Sequence, residues 1–319
     1  MQLDVVLPTY NRHSLLERAL QSLLAAEVPS GLVVKITVVD NNSQDETPSV
    51  VHSFEPGFQG RLNYLFEPKQ GKSHALNAGI AATSGELIGM VDDDEEIDRF
   101  WFVRVNEIFT QKELDFIGGP AVPRWGAPPP AWLPSRYSGV IGAFNLGANR
   151  RPYGADTTLP GGNVAVRRST LNRLLPYSTV LGPHGDDYMA DEDSDMYLRL
   201  IASGAKGLYL PDLIVYHYIH PERLTKSYYR HWCFRRGISS GILDRDRRKQ
   251  VPYLLGVPRY LFGHAARATV QLLKGVVKNH QHPSEKFSNE LSFWDLAGFF
   301  YGKHFYRVRE ESTGLSPRT

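Results

Sequence analysis

Residues 86–96 read ELIGMVDDDEE, a short apolar run that ends in five consecutive acidic side chains. Two earlier segments have the same form, LDVVLPTY at residues 3–10 and VVKITVVDNN at residues 33–42. Short runs rich in Val, Ile and Leu and bounded by turn-forming residues are typical of buried strands. Segments with helical periodicity lie between them, around residues 14–24 and 72–82. Strands that alternate with helices predict an α/β fold with a mostly parallel, Rossmann-like sheet flanked by helices.

Polar residues follow three of these strands at the point where each strand ends. Pro8-Thr9-Tyr10 ends the first strand, Asp40-Asn41-Asn42 follows the second, and Asp92-Asp93-Asp94 follows the strand at 86–91. Parallel strands end at the same edge of a sheet, and open α/β sheets bind their ligands outside the carboxyl ends of the strands. We therefore expect these three groups to converge on one binding site.

The remainder of the chain changes character twice. Further elements are expected as a strand at 62–66, a helix at 99–110, a strand at 116–122, a strand at 163–168, a helix at 192–203 and a strand at 208–218. Between residues 124 and 160 the sequence is rich in Pro, Gly and Trp, which predicts a long irregular loop. Beyond residue 222 it is basic, aromatic and largely helical in pattern.

Composition and charge exclude several classes of protein. With 319 residues, 42% of them hydrophobic and 22% charged, the chain resembles a soluble globular protein rather than a disordered, collagen-like or coiled-coil one. The single cysteine, Cys233, cannot form an internal disulfide and fits a reducing compartment. No 18-residue stretch is free of charge, so we expect no membrane-spanning helix.

The net charge of +2 hides an asymmetry, because residues 1–219 carry −8 and residues 220–319 carry +10. An acidic part can hold a metal, and a basic part favours an anionic partner. Nucleic acid and an anionic membrane surface are the two candidates. No nucleic-acid recognition motif accompanies the basic residues, so we expect no nucleic-acid partner.

The acidic run that opens at Asp92 favours a metal site. Adjacent carboxylates repel one another unless a cation neutralises them, and oxygen ligands favour Mg²⁺ or Mn²⁺. A solvated acidic loop is the alternative, but the position at the end of an apolar strand favours the metal. Neither a dinucleotide fingerprint nor a P-loop is present. Lys72, at the start of a predicted helix, is either a diphosphate contact or an ordinary surface lysine.

A second acidic cluster opens the helix at 192–203. Asp191-Glu192-Asp193 and Asp195 exceed what helix capping needs, and a carboxylate held in a cleft could act as a general base. His217 ends a predicted strand, where a single histidine is more often structural than a metal ligand.

Together these motifs resemble glycosyltransferase family 2. The residues that carry the resemblance are Pro8-Thr9-Tyr10-Asn11-Arg12, Asp40 to Asp45, Gly71-Lys72 with Ala75 to Gly79, Asp92-Asp93-Asp94, Gly161-Gly162-Asn163, and Glu192-Asp193 with Asp195. The likeness covers roughly residues 1–236. It implies the GT-A fold and inverting sugar transfer from a nucleoside diphosphate sugar to an acceptor hydroxyl, on a glycan or lipid-linked glycan, with Mg²⁺ or Mn²⁺.

The resemblance and the composition together predict a division into three regions. Residues 1–123 would bind the nucleotide sugar, and residues 124–221 would bind the acceptor and supply the base within the same GT-A domain. Residues 222–319 would form a helical, basic C-terminal region. A pathway in surface polysaccharide or glycolipid assembly follows from the family. The single cysteine and the basic C-terminal region predict a cytoplasmic enzyme, peripheral on the inner face of the membrane.

Residue roles follow from the same resemblance. The donor nucleotide would be bound by Pro8, Thr9, Tyr10, Arg12, Asp40, Lys72, Asp92 and Asp93. The metal would be held by Asp94, with His217 as a ligand found in some relatives. Asp193 would be the catalytic base, beside Glu192. The acceptor and sugar would meet Gly161, Gly162, Asn163, Asp191, Trp125 and Trp132, although either tryptophan could equally belong to the core. Many family members have two acidic residues where this chain has Asp40-Asn41. This difference leaves open which nucleobase, uracil or another, the donor nucleotide carries.

Two other functions compete with sugar transfer. A sugar-nucleotide nucleotidyltransferase would share the fold, but its Gly-rich phosphate loop is not found near the N-terminus. A nucleotide- or carbohydrate-binding protein without catalysis is the other, but both acidic clusters are intact. The basic C-terminal region either packs on the core through its aromatic residues or rests on an anionic membrane.

Overall fold

The computed structural model describes residues 1–179, 183–184, 187–188, 192–246, 250–278 and 282–306. Its strands in chain order are β1 Gln2–Thr9, β2 Val33–Asp40, β3 Leu62–Phe66, β4 Leu87–Met90, β5 Glu95–Ile97, β6 Phe116–Gly118, β7 Ala121–Trp125, β8 Arg151–Pro152, β9 Val164–Arg167, β10 Pro183–His184, β11 Asp187–Tyr188, β12 Gly207–Tyr209, β13 Val215–Ile219, β14 Tyr253–Leu254 and β15 Val257–Pro258. The α-helices are α1 His13–Ala25, α2 Thr47–Phe58, α3 Lys72–Ala81, α4 Trp101–Gln111, α5 Arg168–Leu171, α6 Glu192–Ala202, α7 Lys226–Asp246, α8 Arg259–Lys278 and α9 Pro283–His304.

A mixed, mostly parallel sheet forms the centre of the molecule. Its eight strands run in the order β3-β2-β1-β4-β9-β6-β12-β8. The first four are parallel neighbours, whereas β9 is antiparallel to both β4 and β6. Helices α1 to α4 connect the strands of the first half, and apolar side chains from both fill the core. The predicted α/β class and its mostly parallel sheet are confirmed.

The register of the sheet places the polar strand ends together, as expected. Thr9 pairs with Asp40, and Asp40 pairs with Phe66, so β1, β2 and β3 end at one level. On the other side of β1, Val6 pairs with Met90 at the end of β4, and Asp92 follows two residues later. The three groups of polar residues therefore share one edge.

A second, smaller sheet crosses this edge. It has the order β5-β13-β7, with β13 antiparallel to β5 and parallel to β7. His217 on β13 pairs with Glu95 on β5, and the backbone N–H of Tyr218 donates to the carbonyl of Asp94 at 2.8 Å. This pairing brings a histidine from late in the chain to the acidic run.

The prediction of two continuous strands at 116–122 and 208–218 is wrong, because each segment is divided between the two sheets. β6 and β12 belong to the large sheet, and β7 and β13 belong to the small one. The breaks fall where a Cβ on Gly119 would lie 1.8 Å from the carbonyl oxygen of Leu213. Only glycine allows the two backbones to approach this closely. The expected irregular loop at 124–160 also contains the end of β7, a 3₁₀ helix at Ser135–Ile141 and β8.

The C-terminal region is helical, as predicted. Helices α7 and α9 pack with glycines at their crossing, Gly237 and Gly241 on one side and Gly298 and Gly302 on the other. A Cβ on Gly298 would lie 1.9 Å from the carbonyl oxygen of Phe234, so the helices meet backbone to backbone. None of the described helices is both long and apolar enough to cross a bilayer.

Candidate active site

The ends of β1 and β2 fix the first wall of the site. Pro8 and Thr9 are buried at the end of β1, while Tyr10 is exposed just beyond it. The Thr9 hydroxyl donates to Asp93 Oδ2 at 2.8 Å. Asp40 is buried and accepts hydrogen bonds from the backbone N–H of Ser43 at 2.9 Å and from the hydroxyl of Tyr64 at 2.7 Å. These bonds hold the loop after β2 in place.

Asn41 ties the end of β2 to the loop at 67–71 through its side-chain amide. Its side-chain NH₂ donates to the carbonyl oxygens of Glu67 and Lys69, and its Oδ1 accepts from the N–H of Gly71 at 2.7 Å. A carboxylate has no donor for the two carbonyls, so only an amide satisfies all three groups. Asn41 therefore ties β2 to the loop that leads into α3 and positions Lys72, a role that the sequence analysis missed.

The acidic run after β4 is distributed among different partners. Asp92 Oδ1 contacts Lys72 Nζ at 2.9 Å. Asp93 is buried and contacts Arg12 at 3.0 Å in addition to Thr9. Both Lys72 and Arg12 therefore lie at the acidic edge.

Asp94 is buried beneath three cationic or imidazole groups. Its Oδ1 lies 3.3 Å from His217 Nε2, and its Oδ2 lies 3.2 Å from Arg223 and 3.3 Å from Arg12. Burial raises the pKa of this carboxyl, but His217, Arg223 and Arg12 outweigh burial and hold the pKa well below its ordinary value. Asp94 therefore stays ionised. Arg223 was not predicted to belong to the site. The only indication in the sequence is that a basic residue follows shortly after the strand that carries His217.

Glu95 points the other way, into the protein. It is buried, and its Oε2 accepts the backbone N–H of Asp92 at 3.3 Å. Burial, together with the charges of Asp92 and Asp94, raises its pKa well above the ordinary value. A Cβ on Gly162 would lie 2.2 Å from Glu95 Oε2, so the glycine makes room for this carboxyl.

The second acidic cluster meets the first through Asp193, at the start of α6. Lys72 Nζ lies 3.5 Å from Asp193 Oδ2 while it contacts Asp92, so one ammonium group bridges the two clusters. Gly161 lies against the same carboxylate and donates its backbone N–H to it. Burial raises the pKa of Asp193, the charge of Lys72 opposes this shift, and the charge of Asp92 adds to it.

Other predicted residues fall in different places. Asp191 and the side chain of Glu192 lie outside the described residues. Asn163 is buried, accepts from Trp101 Nε1 at 2.8 Å and donates to the carbonyl oxygens of Pro120 and Leu213, so its amide joins α4 to the strand connections. Trp125 is exposed at the end of β7. Trp132 packs edge-on against Tyr229 and Phe287 of the C-terminal helices.

A divalent ion fits the donor atoms at Asp94 in part. Two ligands at right angles around an ion, each about 2.1 Å away, are about 3 Å apart. Asp94 Oδ1 and His217 Nε2, 3.3 Å apart and both buried, come close to this spacing. Across the described residues, no group of three or more His, Cys, Asp or Glu side chains could hold a metal ion. Asp94 and His217 thus have a spacing that suits a divalent ion, and Arg223 also lies 3.4 Å from His217 Nε2.

Comparison with known proteins shows the family to which this chain belongs. The sequence model described as glycosyl transferase family 2 matches residues 4–175. This chain belongs to glycosyl transferase family 2. The match spans more than half of the chain and includes every strand end at the acidic edge. Membership confirms the resemblance seen in the sequence and makes the chain a glycosyltransferase.

The relatives of this chain include two that match about three quarters of both chains. The succinoglycan biosynthesis protein ExoM of Rhizobium meliloti is 24% identical over 249 residues, which cover 77% of this chain and 76% of ExoM. The glucosyl-dolichyl phosphate glucuronosyltransferase of Haloferax volcanii is 23% identical, with 76% and 78% covered.

Solved structures show the same GT-A fold. The mannosyltransferase PcManGT from Pyrobaculum calidifontis, in complex with GDP-Man and Mn²⁺, superposes with a TM-score of 0.64 at 20% identity and covers 94% of this chain and 86% of its own. Residues 1–349 of S. aureus TarS, in complex with UDP-GlcNAc, give a TM-score of 0.54 at 14% identity, with 96% and 93% covered.

Proposed function

We propose that this family 2 enzyme is an inverting, metal-dependent glycosyltransferase. It moves a sugar from a nucleoside diphosphate sugar to a hydroxyl of a glycan or lipid-linked glycan, in the assembly of a surface polysaccharide or glycolipid. The names of its relatives support this choice, because they include a succinoglycan biosynthesis protein and a glucosyl-dolichyl phosphate glucuronosyltransferase. A structural neighbour is in complex with both a nucleotide sugar and Mn²⁺.

One observation carries the proposal. Lys72 Nζ lies 2.9 Å from Asp92 and 3.5 Å from Asp193, and we infer from this that the strand-end and helix-start carboxylates line one cleft. Inverting transfer needs a site for the leaving diphosphate and a base on the opposite face of the sugar. The proposed cleft would supply both within the reach of one lysine side chain.

The donor half of the cleft would neutralise the diphosphate. Asp94 and His217 would hold Mg²⁺ or Mn²⁺, and phosphate oxygens and water would complete its coordination. When bound, the ion would stabilise the negative charge that grows on the leaving group. Lys72 and Arg12 would meet the same charge from the protein side. Pro8, Thr9 and Tyr10 would line the nucleoside pocket, and Asp40 would lie near the nucleobase.

The acceptor half of the cleft would remove the proton. Asp193 would accept it from the attacking hydroxyl, and its raised pKa favours this role because a more basic carboxylate is a stronger proton acceptor. Gly161 would keep the carboxylate in place through its N–H. Trp125, exposed at the end of β7, would be available to stack on an acceptor sugar.

This assignment gives each region of the chain a task. Residues 1–123 would bind the donor, and residues 124–221 would supply the acceptor surface and the base. Residues 222–319 would form the basic C-terminal region that holds the enzyme at the inner face of the membrane, where a lipid-linked acceptor is found.

A donor panel tests the reaction. UDP-, GDP- and dTDP-sugars are incubated with the protein and Mn²⁺, with and without EDTA, and release of nucleoside diphosphate is measured. We expect turnover of at least one donor, its loss in EDTA and in Asp193→Asn, and retained donor binding by Asp193→Asn. Turnover by Asp193→Asn near the wild-type rate would place the base elsewhere, and turnover in EDTA would remove the metal from the mechanism.

The stereochemistry requires its own measurement. Proton NMR of the first-formed product gives its anomeric configuration, and we expect it to be opposite to that of the donor. Retention of configuration would contradict a single displacement assisted by Asp193.

A further inference from the structure

Exposed apolar side chains are concentrated near the C-terminus. Among the described residues, 18 large hydrophobic side chains are exposed, and ten of them lie between residues 251 and 305, about a sixth of the chain. The same part of the sequence carries the positive charge, because residues 220–319 have a net charge of +10. Apolar groups left in solvent next to basic ones are typical of a surface that binds an anionic bilayer.

The most exposed of these residues is at the tip of a hairpin. β14 and β15 are joined by Leu255 and Gly256, and Leu255 is 72% exposed with φ +49°. A turn of this kind favours asparagine or glycine, which tolerate the left-handed region, over a branched apolar residue. Leu254, just before it, is 51% exposed. Nothing in the turn's own geometry calls for leucine at either position.

The end of α9 extends this apolar surface. His304 at the end of the helix contacts the carbonyl oxygen of Leu255 at 3.1 Å, so the hairpin tip and the helix end are neighbours. Phe305 is 62% exposed and its ring stacks on that of Tyr301, which is also exposed. We call Leu254, Leu255, Tyr301 and Phe305 the apolar tip.

Basic residues flank the apolar tip in the sequence. Arg247-Arg248-Lys249 directly precedes the hairpin, and Arg307 and Arg309 follow α9. In the structure, exposed Arg259 begins α8 immediately after the hairpin. Each Lys or Arg near an anionic leaflet adds about 1 kcal/mol of attraction. Charge complementarity therefore favours an anionic bilayer over a neutral surface as the occupant.

We propose that the apolar tip inserts into the interface of an anionic membrane, with Arg259 near the lipid headgroups. This inference names the part of the basic C-terminal region that makes contact, and it rests on the proposed function only for its purpose, the delivery of a membrane-bound acceptor to the cleft.

Vesicle sedimentation tests the proposal with the full chain. Wild-type protein is mixed with vesicles of phosphatidylcholine and phosphatidylglycerol, and with phosphatidylcholine alone. The test variant combines Leu254→Ser with Leu255→Asn, and asparagine suits the positive φ of the turn, so the fold is retained. Val33→Thr, which alters an exposed apolar residue at the start of β2, is the matched control.

We expect the wild type to bind the anionic vesicles. The affinity of the tip variant should be lower by about tenfold or more, because burying one leucine changes an affinity by about that factor. Val33→Thr should bind like the wild type. No sedimentation of the wild type with anionic vesicles, or equal sedimentation of the tip variant, would overturn the proposal. So would a dimer that dissociates in the tip variant while vesicles go unbound, because the tip would then be a protein interface.

A fluorescent label separates insertion from adsorption by charge alone. Leu255→Cys is labelled with an environment-sensitive dye, since the native Cys233 is buried. A blue shift of emission on adding anionic vesicles is expected, and vesicle binding without a shift would contradict insertion of the tip.

Failure of this inference is distinguishable from failure of the proposed function. The tip variant should release nucleoside diphosphate from the donor at the wild-type rate in solution, because the tip lies outside the cleft. Vesicle binding by a protein that turns over no donor would leave the docking surface intact and refute the enzymatic proposal alone.

Discussion

Replacing Gly161 with alanine tests whether the position of Asp193 controls turnover. A Cβ on Gly161 would lie 2.1 to 2.2 Å from the three carboxylate atoms of Asp193. Carbon atoms of this kind essentially never come within 3.0 Å of another heavy atom, so one of the two groups must move by about 0.9 Å. The carboxylate is 26% exposed and sits at the end of a side chain, so we expect it to move rather than the backbone.

The expected cost falls on catalysis and not on folding. Misplacing a reacting group by about 1 Å costs about 100-fold in rate, which corresponds to about 2.7 kcal/mol of activation free energy. Because a partly exposed side chain can rotate out of the way, the free energy of unfolding should stay within about 1 kcal/mol of the wild type. Donor affinity should be unchanged, since the strand-end residues are untouched.

The assay is donor turnover with acceptor, measured as kcat and KM, with urea unfolding as the stability control. Gly139→Ala is the matched substitution, because nothing lies within 4 Å of the added Cβ there, and it should behave as the wild type. A kcat for Gly161→Ala within threefold of the wild type would refute the reasoning.

Three further predictions follow from the cleft and the helix crossing. Asp94→Ala should lower donor affinity in Mn²⁺ by about tenfold or more, because it removes one of two proposed protein ligands, and unchanged affinity in titration calorimetry would contradict this role. Because burial raises the pKa of Asp193 above its ordinary 3.8, kcat should be full above the raised value and fall as the pH drops through it, and a kcat profile flat down to pH 3.8 would exclude this residue as the base. Gly298→Ala should cost about 1 to 3 kcal/mol in urea unfolding, because its Cβ would meet the carbonyl oxygen of Phe234 at 1.9 Å, and donor binding should be unaffected.

The first half of the fold could be predicted from the sequence because each element is decided locally. β2 and β3 occupy the residues predicted for them, since a short apolar run between turn-forming residues has few alternatives. The second half could not be predicted in the same way. The strands at 116–122 and 208–218 divide because two distant backbones cross at Gly119 and Leu213, and the spacing of apolar residues carries no information about such a crossing.

The crossing of α7 and α9 at their two glycine pairs was equally hard to predict, although the spacing of the glycines indicates that each helix has a face for close packing. Gly237 and Gly241 are four residues apart, as are Gly298 and Gly302, so each pair lies on one face of its helix. Small residues at this spacing allow two helices to approach closely. The pattern indicates a crossing but not its partner, because either pair could face any other element.

The acidic run shows why residue types at a site are easier to predict than residue roles. Alternation along an extended chain sends neighbouring side chains in different directions, and the turn after β4 adds further directions. Asp92 reaches Lys72, Asp93 reaches Thr9, and Asp94 reaches His217. Each partner comes from a different part of the chain, so the sequence could place the acids at the edge without assigning them.

Burial makes those partners necessary rather than optional. Burying a carboxylate without a cation or a hydrogen-bond donor costs several kcal/mol of free energy, so a buried acid with too few partners is driven toward its protonated form. Asp94, with His217 and two guanidinium groups, has its pKa lowered, whereas Glu95, with burial and carboxylate neighbours, has its pKa raised. Two acids adjacent in sequence therefore have pKa values shifted in opposite directions by their surroundings. The proposed metal ligand is accordingly Asp94, because its carboxyl keeps its negative charge to lower pH than that of Glu95.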